Sequence, residues 1–335
     1  MQEFIKNIKK DKKIKINFVL FFFVLITVFF SFFISTNSVF AADRYWVGTE
    51  GGSVTDSANW STTANSCGVG GGASVPNTLD IAYFTSSCTN TANLTANWSV
   101  QQINMSAGTL NVNTHSLTTS THFTQSGGTF NGGSGNILIT GVFTLSGTGI
   151  FNAPNSVGNI QFNNNFTNTT GGTFNHNNGT VVLAGAHRTI DVNSSLTFNN
   201  LTVNRTPATV LTIATGDTLN VLNTFTHLSG TISGANINIF GNANFSSVDA
   251  SGTANISLIS DGTVNSKTIT INNANLSNII INNSNISIVY SGNNRFQSLN
   301  LQAFNGSFDV GSGNLTTTGT FTQSGGTFNG GSGTV

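Results

Sequence analysis

An internal repeat constrains this chain more than any other feature of its sequence. The segment Phe-Thr-Gln-Ser-Gly-Gly-Thr-Phe-Asn-Gly-Gly-Ser-Gly occupies residues 123–135 and recurs unchanged at 321–333. Related segments begin at Phe143, Phe166 and Phe225. The starts at Phe123, Phe143 and Phe166 lie a little over 20 residues apart. A period of that length suits one turn of a parallel β-helix and is too short for a propeller blade.

Short β-type runs of three to six residues, separated by Gly, Asn and Ser, fill the chain from about residue 109. Apolar and polar residues alternate within them, which places one set of side chains inward and the other outward. The clearest runs are 109–113, 136–140, 180–183, 211–213, 235–240, 268–271 and 278–282. The pattern predicts an all-β fold, a right-handed parallel β-helix (β-solenoid) over residues 109–335.

The composition explains why such turns would stack. One turn offers only a few inward Phe, Leu, Ile or Val side chains, each contributing roughly 1.5–3 kcal/mol on burial, which does not offset the entropy of ordering the turn. Stacked turns bury these side chains against each other. Gly and Asn supply corners with positive φ, and Asn or Thr in register can form ladders. A disordered linker is the alternative for this composition, but linkers lack apolar runs at a regular spacing.

Charge is scarce and unevenly placed. Charged residues make up 7% of the chain, and six of the 11 basic residues precede the end of a long apolar run near the N-terminus, together with two of the 11 acidic residues. The remainder therefore carries five basic and nine acidic residues, a net charge of −4. A weakly acidic body lacks the basic stripe that a phosphate backbone requires, so no nucleic-acid partner is expected.

Residues 1–42 have the order of a secretory signal. A lysine-rich stretch precedes the apolar run 18–34, and Val-Phe-Ala follows at 39–41, which predicts cleavage after Ala41 or Ala42. The run is longer than the roughly 7–15 residues of a signal core and approaches the roughly 20 that span a bilayer, so an uncleaved membrane anchor is the alternative. Both predict a secreted or cell-surface body, with membrane contact only through an uncleaved segment.

Two cysteines, Cys67 and Cys88, lie in the first exported stretch. An oxidising compartment would let them pair, and closing a loop of about 20 residues is worth about 3 kcal/mol in the chain-entropy model. Two free thiols are the alternative. A metal site is not expected, because neither cysteine has a His or a second Cys at ligand spacing.

Residues 43–108 differ in kind from the repeats. Their motifs are Tyr-Trp-Val-Gly at 45–48, Asp-Ser-Ala-Asn-Trp-Ser at 56–61, Gly-Ala-Ser-Val-Pro at 72–76, Asp80, and Tyr-Phe at 83–84. This stretch resembles the N-terminal module of large secreted repeat proteins of environmental bacteria, which are regarded as adhesin-like, β-helical surface proteins. It departs from that pattern at Ser53-Val54, where the module has an Asn-Trp pair, and in carrying the two cysteines.

The resemblance implies location and architecture more than activity. Its aromatic residues Tyr45, Trp46, Trp60 and Trp98 are expected to form a small β cap over the first turn of the solenoid, since an open end needs covering. A small separate domain that binds glycans through Trp is the alternative. At the other end, the second repeat copy stops at Val335 within a turn, which predicts that the chain is a piece of a longer repeat protein.

Residues with catalytic chemistry are dispersed, so no catalytic, cofactor-binding or metal-binding residues are predicted. His187-Arg188 with Asp191 is the one mixed polar cluster, which we interpret as an outward corner. The repeat at 132–137 places Ile137 where a calcium-binding nonapeptide has Asp, which predicts no calcium there. The single acids are Asp191, Asp217, Asp249, Asp261 and Asp309, and the isolated histidines are His115, His122, His176, His187 and His227.

The sequence thus predicts a secreted or cell-surface, adhesin-like structural protein without enzymatic activity or cofactor. Its expected partners are surface glycans or other cells. The alternative is a parallel β-helix that binds or processes polysaccharide, because acids on different turns could come together in space. Binding of ice or a crystal surface by Thr ladders is a weaker hypothesis, since Thr-x-Thr does not recur once per turn.

Overall fold

A computed structural model describes residues 2 and 41–335 of the chain, apart from 187, 261–266, 285 and 303–304. The predicted signal or anchor therefore lies outside the described residues, except for residue 2 and the two cleavage candidates. Ala41 is exposed and Ala42 opens the first strand. No helix within the described residues is long and apolar enough to cross a membrane.

The body is a β-solenoid of about 11 turns. Each complete turn contributes one strand to each of three columns, and strands within a column pair in parallel with those of the turns before and after. Phe123 pairs with Phe143, and Phe143 pairs with Phe166. The predicted parallel solenoid and its period are therefore confirmed.

The strands divide among the columns as follows. The first column holds Ala42–Trp46, Asp80–Phe84, Gln102–Met105, Phe123–Gln125, Phe143–Ser146, Phe166–Thr170, Arg188–Val192 and Asn314–Thr317. The second holds Gly52–Ser53, Thr91–Asn93, Thr109–Asn111, Thr129–Asn131, Ile150–Asn152, Thr173–Asn175, Asn255–Ile259 and Phe321–Gln323. The third holds Trp98–Val100, Leu117–Thr119, Ile137–Ile139, Asn159–Phe162, Thr180–Gly185, Asn242–Phe245, Lys267–Asn272, Ile286–Ser291, Ser307–Asp309 and Thr327–Asn329.

Longer strands run through the corners between columns in the second half of the chain. They are Ser195–Arg205, Val210–Ser229, Thr231–Ile239, Asn275–Asn282 and Asn293–Leu301. Val210–Ser229 supplies segments to all three columns and turns partly at Gly216, which has φ of 90°. The expected runs of three to six residues are therefore the sides of the turns, and the backbone between some of them stays extended. A two-residue strand, Trp60–Ser61, and a 3₁₀ turn, Ser57–Asn59, complete the described elements.

The core is a continuous file of apolar side chains inside the three columns. Alternation sends every second residue of a strand inward, as the sequence predicts. Phe143 contacts Phe123 and Phe166 at ring-centroid distances of 5.8 Å and 4.8 Å, and Phe130 stacks on Phe151 at 4.5 Å. All five rings are fully buried, each contributing roughly 1.5–3 kcal/mol. Neighbouring turns therefore hold each other in place.

The repeat copies do not all fall in the same column. Phe225 pairs with Leu201 in the third column, and Phe321 pairs with Leu299 in the second, whereas Phe123 lies in the first. The identical copies still share their local structure. Gln125 donates to the carbonyl of Gly128 at 3.0 Å, and Gln323 donates to that of Gly326 at 2.8 Å. The repeat therefore encodes a side, a corner and the next side of a turn, independently of the column it enters.

Parallel stacking crosses residue 109 without a break. Thr91–Asn93 pairs with Thr109–Asn111, and Ala42–Trp46 pairs in parallel with Asp80–Phe84. The first strand also pairs antiparallel with Trp60–Ser61, which is inserted between the first turn and the second. Residues 43–108 thus supply turns of the same solenoid together with an inserted segment.

The four aromatic residues expected to form the cap lie within this first part. Trp46, Trp60 and Trp98 are buried, with ring centroids 5.5 Å apart for Trp46 and Trp60 and 5.9 Å apart for Trp60 and Trp98. Tyr45 stacks on Tyr83 at 4.9 Å. The indole N–H groups of Trp60 and Trp98 donate to the carbonyls of Val54 and Pro76. The three indole rings pack in the interior and present no open face to a ligand.

Cys67 and Cys88 form a disulfide that ties the inserted segment to the solenoid. Cys88 is fully buried and packs in the same core as Trp46 and Trp60. Gly68 donates its N–H to the carbonyl of Val47 at 2.6 Å, which holds the same loop against the first strand. The inserted segment is therefore anchored by a covalent bond as well as by the tryptophans.

Candidate functional site

The outer face of the second column carries a regular pattern of Thr and Asn. Five successive strands have the form Thr-x-Asn, with Ile in place of Thr once, and pair in register. They are Thr91–Asn93, Thr109–Asn111, Thr129–Asn131, Ile150–Asn152 and Thr173–Asn175. We call this surface the Thr–Asn face. The residue between Thr and Asn points inward in each strand, and Leu110, Phe130 and Phe151 are fully buried there.

The asparagines of the Thr–Asn face form a continuous hydrogen-bonded ladder. Each amide Nδ2 donates to the Oδ1 of the previous turn, at 2.8 Å from Asn111 to Asn93 and at 2.7 Å for the next three steps, which end at Asn175. Asn93 donates in turn to the carbonyl of Gly51 at 3.0 Å. An amide can donate and accept at once, so one residue type repeats without a mismatch. The ladder fixes the amides in one orientation.

Corner glycines allow the turns of the Thr–Asn face to approach closely. Gly108 and Gly128 precede two of its strands and have φ of 74° and 70°. A Cβ at Gly128 would lie 2.5 Å from the carbonyl oxygen of Gly108, closer than real Cβ atoms come. Backbone therefore packs on backbone at this corner, which keeps the strands beside it at the regular spacing of a sheet, about 4.8 Å.

The Thr–Asn face is electrically neutral. Its five strands contain no ionisable residue, and Glu50, which lies beside the first of them, accepts from the N–H of Thr91 at 2.9 Å. Hydrogen bonding by the Thr91 side chain, together with this backbone hydrogen bond, lowers the pKa of Glu50. The face thus offers hydroxyl groups, methyl groups and amides, which can recognise a partner through hydrogen bonds and apolar contact. Similar but shorter ladders join Asn220 to Asn238, and Asn293 to Asn314.

Two of the single acids accept hydrogen bonds from backbone N–H groups. Asp217 accepts from the N–H of Val192 at 2.8 Å, and Asp309 accepts from that of Gly311 at 2.8 Å. Asp191 lies in register with Thr167 on the first column. Asp261 lies outside the described residues. Within those residues no group of three or more His, Cys, Asp or Glu is placed to hold a metal ion.

The predicted polar cluster is only partly visible, because His187 lies outside the described residues. The Arg188 Nε donates to the carbonyl of Asn163 at 2.8 Å. Of the other histidines, His122 accepts from the N–H of Val142, and His176 accepts from that of Asn178. Partial burial lowers the pKa of His176. His115 is half-buried at a corner.

Sequence reasoning missed a buried polar corner between the third and first columns. Its members are Arg205, His227 and Asp249, on successive turns. His227 is 3% exposed, its Nε2 lies 2.7 Å from the carbonyl of Gly230, and its Nδ1 has no hydrogen-bond partner. The Asp249 carboxylate accepts from the backbone N–H groups of Gly230 and Ala208. We call these three residues the polar corner.

The pKa values in the polar corner follow from these contacts. Burial lowers the pKa of His227, and the hydrogen bond from Gly230 is the main cause of the lowered pKa of Asp249. His227 is therefore neutral and Asp249 ionised at neutral pH. The alternation of inward and outward residues could have predicted the burial of Arg205, since Leu201, Val203 and Arg205 all occupy inward positions of one strand.

The fold and the outer ladders define a class, a parallel β-solenoid protein with neutral polar faces. Comparison of the chain with protein-family models, with curated proteins and with solved structures finds no match.

Proposed function

We propose that this chain is an exported, adhesin-like structural protein whose solenoid presents the Thr–Asn face to a partner at the cell surface. The Asn ladder carries the proposal. Its amides are locked to each other at 2.7–2.8 Å over five turns, so the face is already ordered before anything binds. Ordering side chains on binding costs about 0.5–1.5 kcal/mol for each one, and a locked ladder avoids most of that loss.

Export is supported by the sequence and by the disulfide. Residues 1–42 have the order of a secretory signal, and residues 43–108 resemble the first module of secreted repeat proteins. Disulfides persist mainly in oxidising compartments, and Cys67 and Cys88 are paired. Cleavage after Ala41 or Ala42 would leave a chain that begins at its first strand, since that strand is Ala42–Trp46.

Surface glycans are the favoured partner, and carbohydrate binding is accordingly the second candidate function. Sugars present dense hydroxyl groups, which pair with amides and hydroxyls, and a neutral face avoids the cost of desolvating charge. The Thr–Asn face offers both groups at every turn, with Thr109 and Thr129 at its centre.

Export is tested by locating the protein in cells that produce the whole chain. An antibody against the solenoid should label intact cells or detect the protein in the medium. A matched variant that lacks residues 1–40 should stay inside. Equal labelling of intact cells by the two proteins would contradict export through this segment.

The binding role is tested with two pairs of lysine substitutions. Thr109→Lys with Thr129→Lys places two charges on the Thr–Asn face, whereas Thr124→Lys with Thr144→Lys places two charges on the first column, where those threonines also stack. All four threonines are half-buried, so the pairs are matched for exposure. The first pair should abolish adhesion to cells and binding to a glycan array, and the second should leave both intact. Equal behaviour of the two pairs would refute the assignment of the face.

A further inference from the structure

Arg205 is a buried cation at the C-terminal end of a strand. It closes the strand Ser195–Arg205, lies in register with Gly185 of the previous turn, and is 2% exposed. The chain on both sides is exposed, at Ala186 and at residues 206–208. The buried side chain of Arg205 therefore belongs to a corner of the solenoid whose neighbouring residues are exposed.

One edge of this guanidinium has no partner. Nη1 donates to the carbonyl of Ala184 at 2.6 Å, whereas Nε and Nη2 make no hydrogen bond and Arg205 has no carboxylate partner among the described residues. The N–H bonds of Nε and Nη2 point in the same direction from one edge of the planar group. That edge matches two oxygens of a carboxylate, sulfate or phosphate. A buried cation with two unsatisfied donors is strongly unfavourable unless an anion completes it.

A second cation increases the positive potential at this corner. Arg188 lies on the turn before, where its Nε donates to the carbonyl of Asn163. Burial and the nearby charge of Arg188 lower the pKa of Arg205 to about 10, so Arg205 remains charged at neutral pH. The acid of the polar corner, Asp249, already accepts from two backbone N–H groups and from Ser247.

The turn that follows leaves room for the arginine stem. Gly230 packs on Arg205, and a Cβ at Gly230 would lie 2.4 Å from the Arg205 Cβ. Gly230 has φ of 87°, a conformation that glycine adopts most readily. The arginine stem and the glycine are therefore matched across neighbouring turns.

We propose that Arg205, with Arg188 beside it, forms a binding site for an oxyanion, which the free Nε–Nη2 edge holds through two parallel hydrogen bonds. The ligand is a free inorganic anion or an acidic group of a polysaccharide, either a carboxylate or a sulfate ester. The site lies at the corner between the third and first columns, whereas the Thr–Asn face belongs to the second. The proposal does not rest on the surface role of the protein.

The test is calorimetric titration of the whole chain with sodium sulfate, and separately with oligogalacturonate, at constant ionic strength. Wild-type protein should bind one sulfate for each chain. Arg205→Met should weaken binding at least tenfold, and Arg205→Lys should do so as well because a lysine keeps the charge but lacks the two-donor edge. Arg295→Met, a change at an exposed arginine of the first column, should leave binding unchanged.

The outcomes separate the two sources of the anion. Binding of both probes through Arg205 would assign the acidic group of a polysaccharide, and binding of sulfate alone would assign a free anion. Arg205→Met is expected to fold, because methionine fills similar volume without a buried charge. Arg205→Lys provides the same comparison should the methionine variant not fold. If neither probe binds saturably, or if binding is unchanged in the folded Arg205 variants, the proposed site is wrong.

Discussion

His227 occupies an inward position that Val203 and Phe245 fill in the turns on either side. An imidazole there is kept neutral by burial, which lowers its pKa below the ordinary 6.5. The unfolded chain therefore takes up a proton at a higher pH than the folded chain does. In the window between these two pKa values the unfolded state binds more protons, so stability falls as the pH falls.

This linkage gives a test by substitution. The urea midpoint of the wild-type chain should fall between about pH 7 and about pH 5, and His227→Leu should flatten that slope because leucine fills the same inward position without titrating. His115→Gln serves as the matched control and should keep the wild-type slope. Asp249 does not interfere, because its pKa is lowered from 3.8 and its contribution is lost only at more acidic pH. Parallel curves for wild type and His227→Leu would contradict the assignment.

The Asn ladder makes a second prediction about single residues. Asn131→Ala removes one donated and one accepted hydrogen bond in the middle of the ladder, whereas Asn175→Ala removes only the donated bond at its end. With about 1 kcal/mol for each bond, the middle variant should lose about 2 kcal/mol of unfolding free energy and the end variant about 1 kcal/mol. Chemical denaturation monitored by circular dichroism measures both. Equal losses would show that the ladder does not act as a chain of bonds.

Some of these residue-level features can be predicted from the sequence. Thr-x-Asn at a regular spacing permits an Asn ladder, and the inward alternation of Leu201 and Val203 extends to Arg205. The partner of Arg205, the carbonyl of Ala184, could not be predicted, because it comes from the previous turn and depends on the lengths of the corners. His227 contacts the nearby Gly230, but its burial depends on the turns on either side. The acids Asp217 and Asp249 hold backbone N–H groups of other turns, and these contacts emerge only from the stacked turns.

At the scale of the element, the corner decides whether turns can stack. Gly133 and Gly311 have nearly the same backbone conformation, with φ of 60° and 61°. A Cβ at Gly133 would lie 2.1 Å from the Asn113 carbonyl oxygen, whereas a Cβ at Gly311 would meet nothing within 4 Å. A Cβ would therefore cause the same backbone strain at both glycines, but it would clash with the neighbouring turn only at Gly133.

That contrast predicts different effects of the same substitution. Gly311→Ala should lose about 1 kcal/mol, the cost of a positive φ in a residue with a Cβ. Gly133→Ala should lose at least 2 kcal/mol more, because the corner must also move away from the previous turn. Denaturation midpoints of the two variants measure the difference. A Gly133→Ala variant as stable as Gly311→Ala would mean that the corner relaxes without disturbing the stack.

The corner also explains why the column of each repeat copy was not foreseen. The segment at 123–135 and its copy at 321–333 specify the same local sides and corner, but Phe123 lies in the first column and Phe321 in the second. The column depends on how much chain lies between the copies, including strands such as Val210–Ser229 that run through corners. Local sequence predicts the shape of a turn. The column that a given segment enters depends on the summed lengths of all the turns before it.

At the scale of the whole molecule, stability is distributed turn by turn. Each turn contacts chiefly the turns before and after it, so a solenoid responds locally to local damage. The Cys67–Cys88 disulfide should therefore stabilise the first turns and have little effect on the last. Replacing both cysteines by serine should remove about 3 kcal/mol from that part of the chain.

Hydrogen exchange can locate the effect of the disulfide. Amides of residues 45–105 should exchange faster in the double serine variant, while those of 278–301 should keep their protection. Phe143→Ala, which opens a cavity in a middle turn, provides the control and should raise exchange around 123–166 instead. Faster exchange along the entire stack in the double serine variant would contradict turn-by-turn stability.

The three hydrogen-bonded columns have a mechanical consequence. The bonds between turns lie along the axis of the stack, so a load that pulls the first turn away from the last should detach one turn at a time. Each detached turn of about 20 residues would lengthen the tether by about 70 Å, the span of that much extended chain. Single-molecule stretching should therefore record evenly spaced steps, with the residues inside the Cys67–Cys88 loop released only after reduction. A solenoid that unfolds one turn at a time can absorb mechanical work between two attached bodies without breaking the connection.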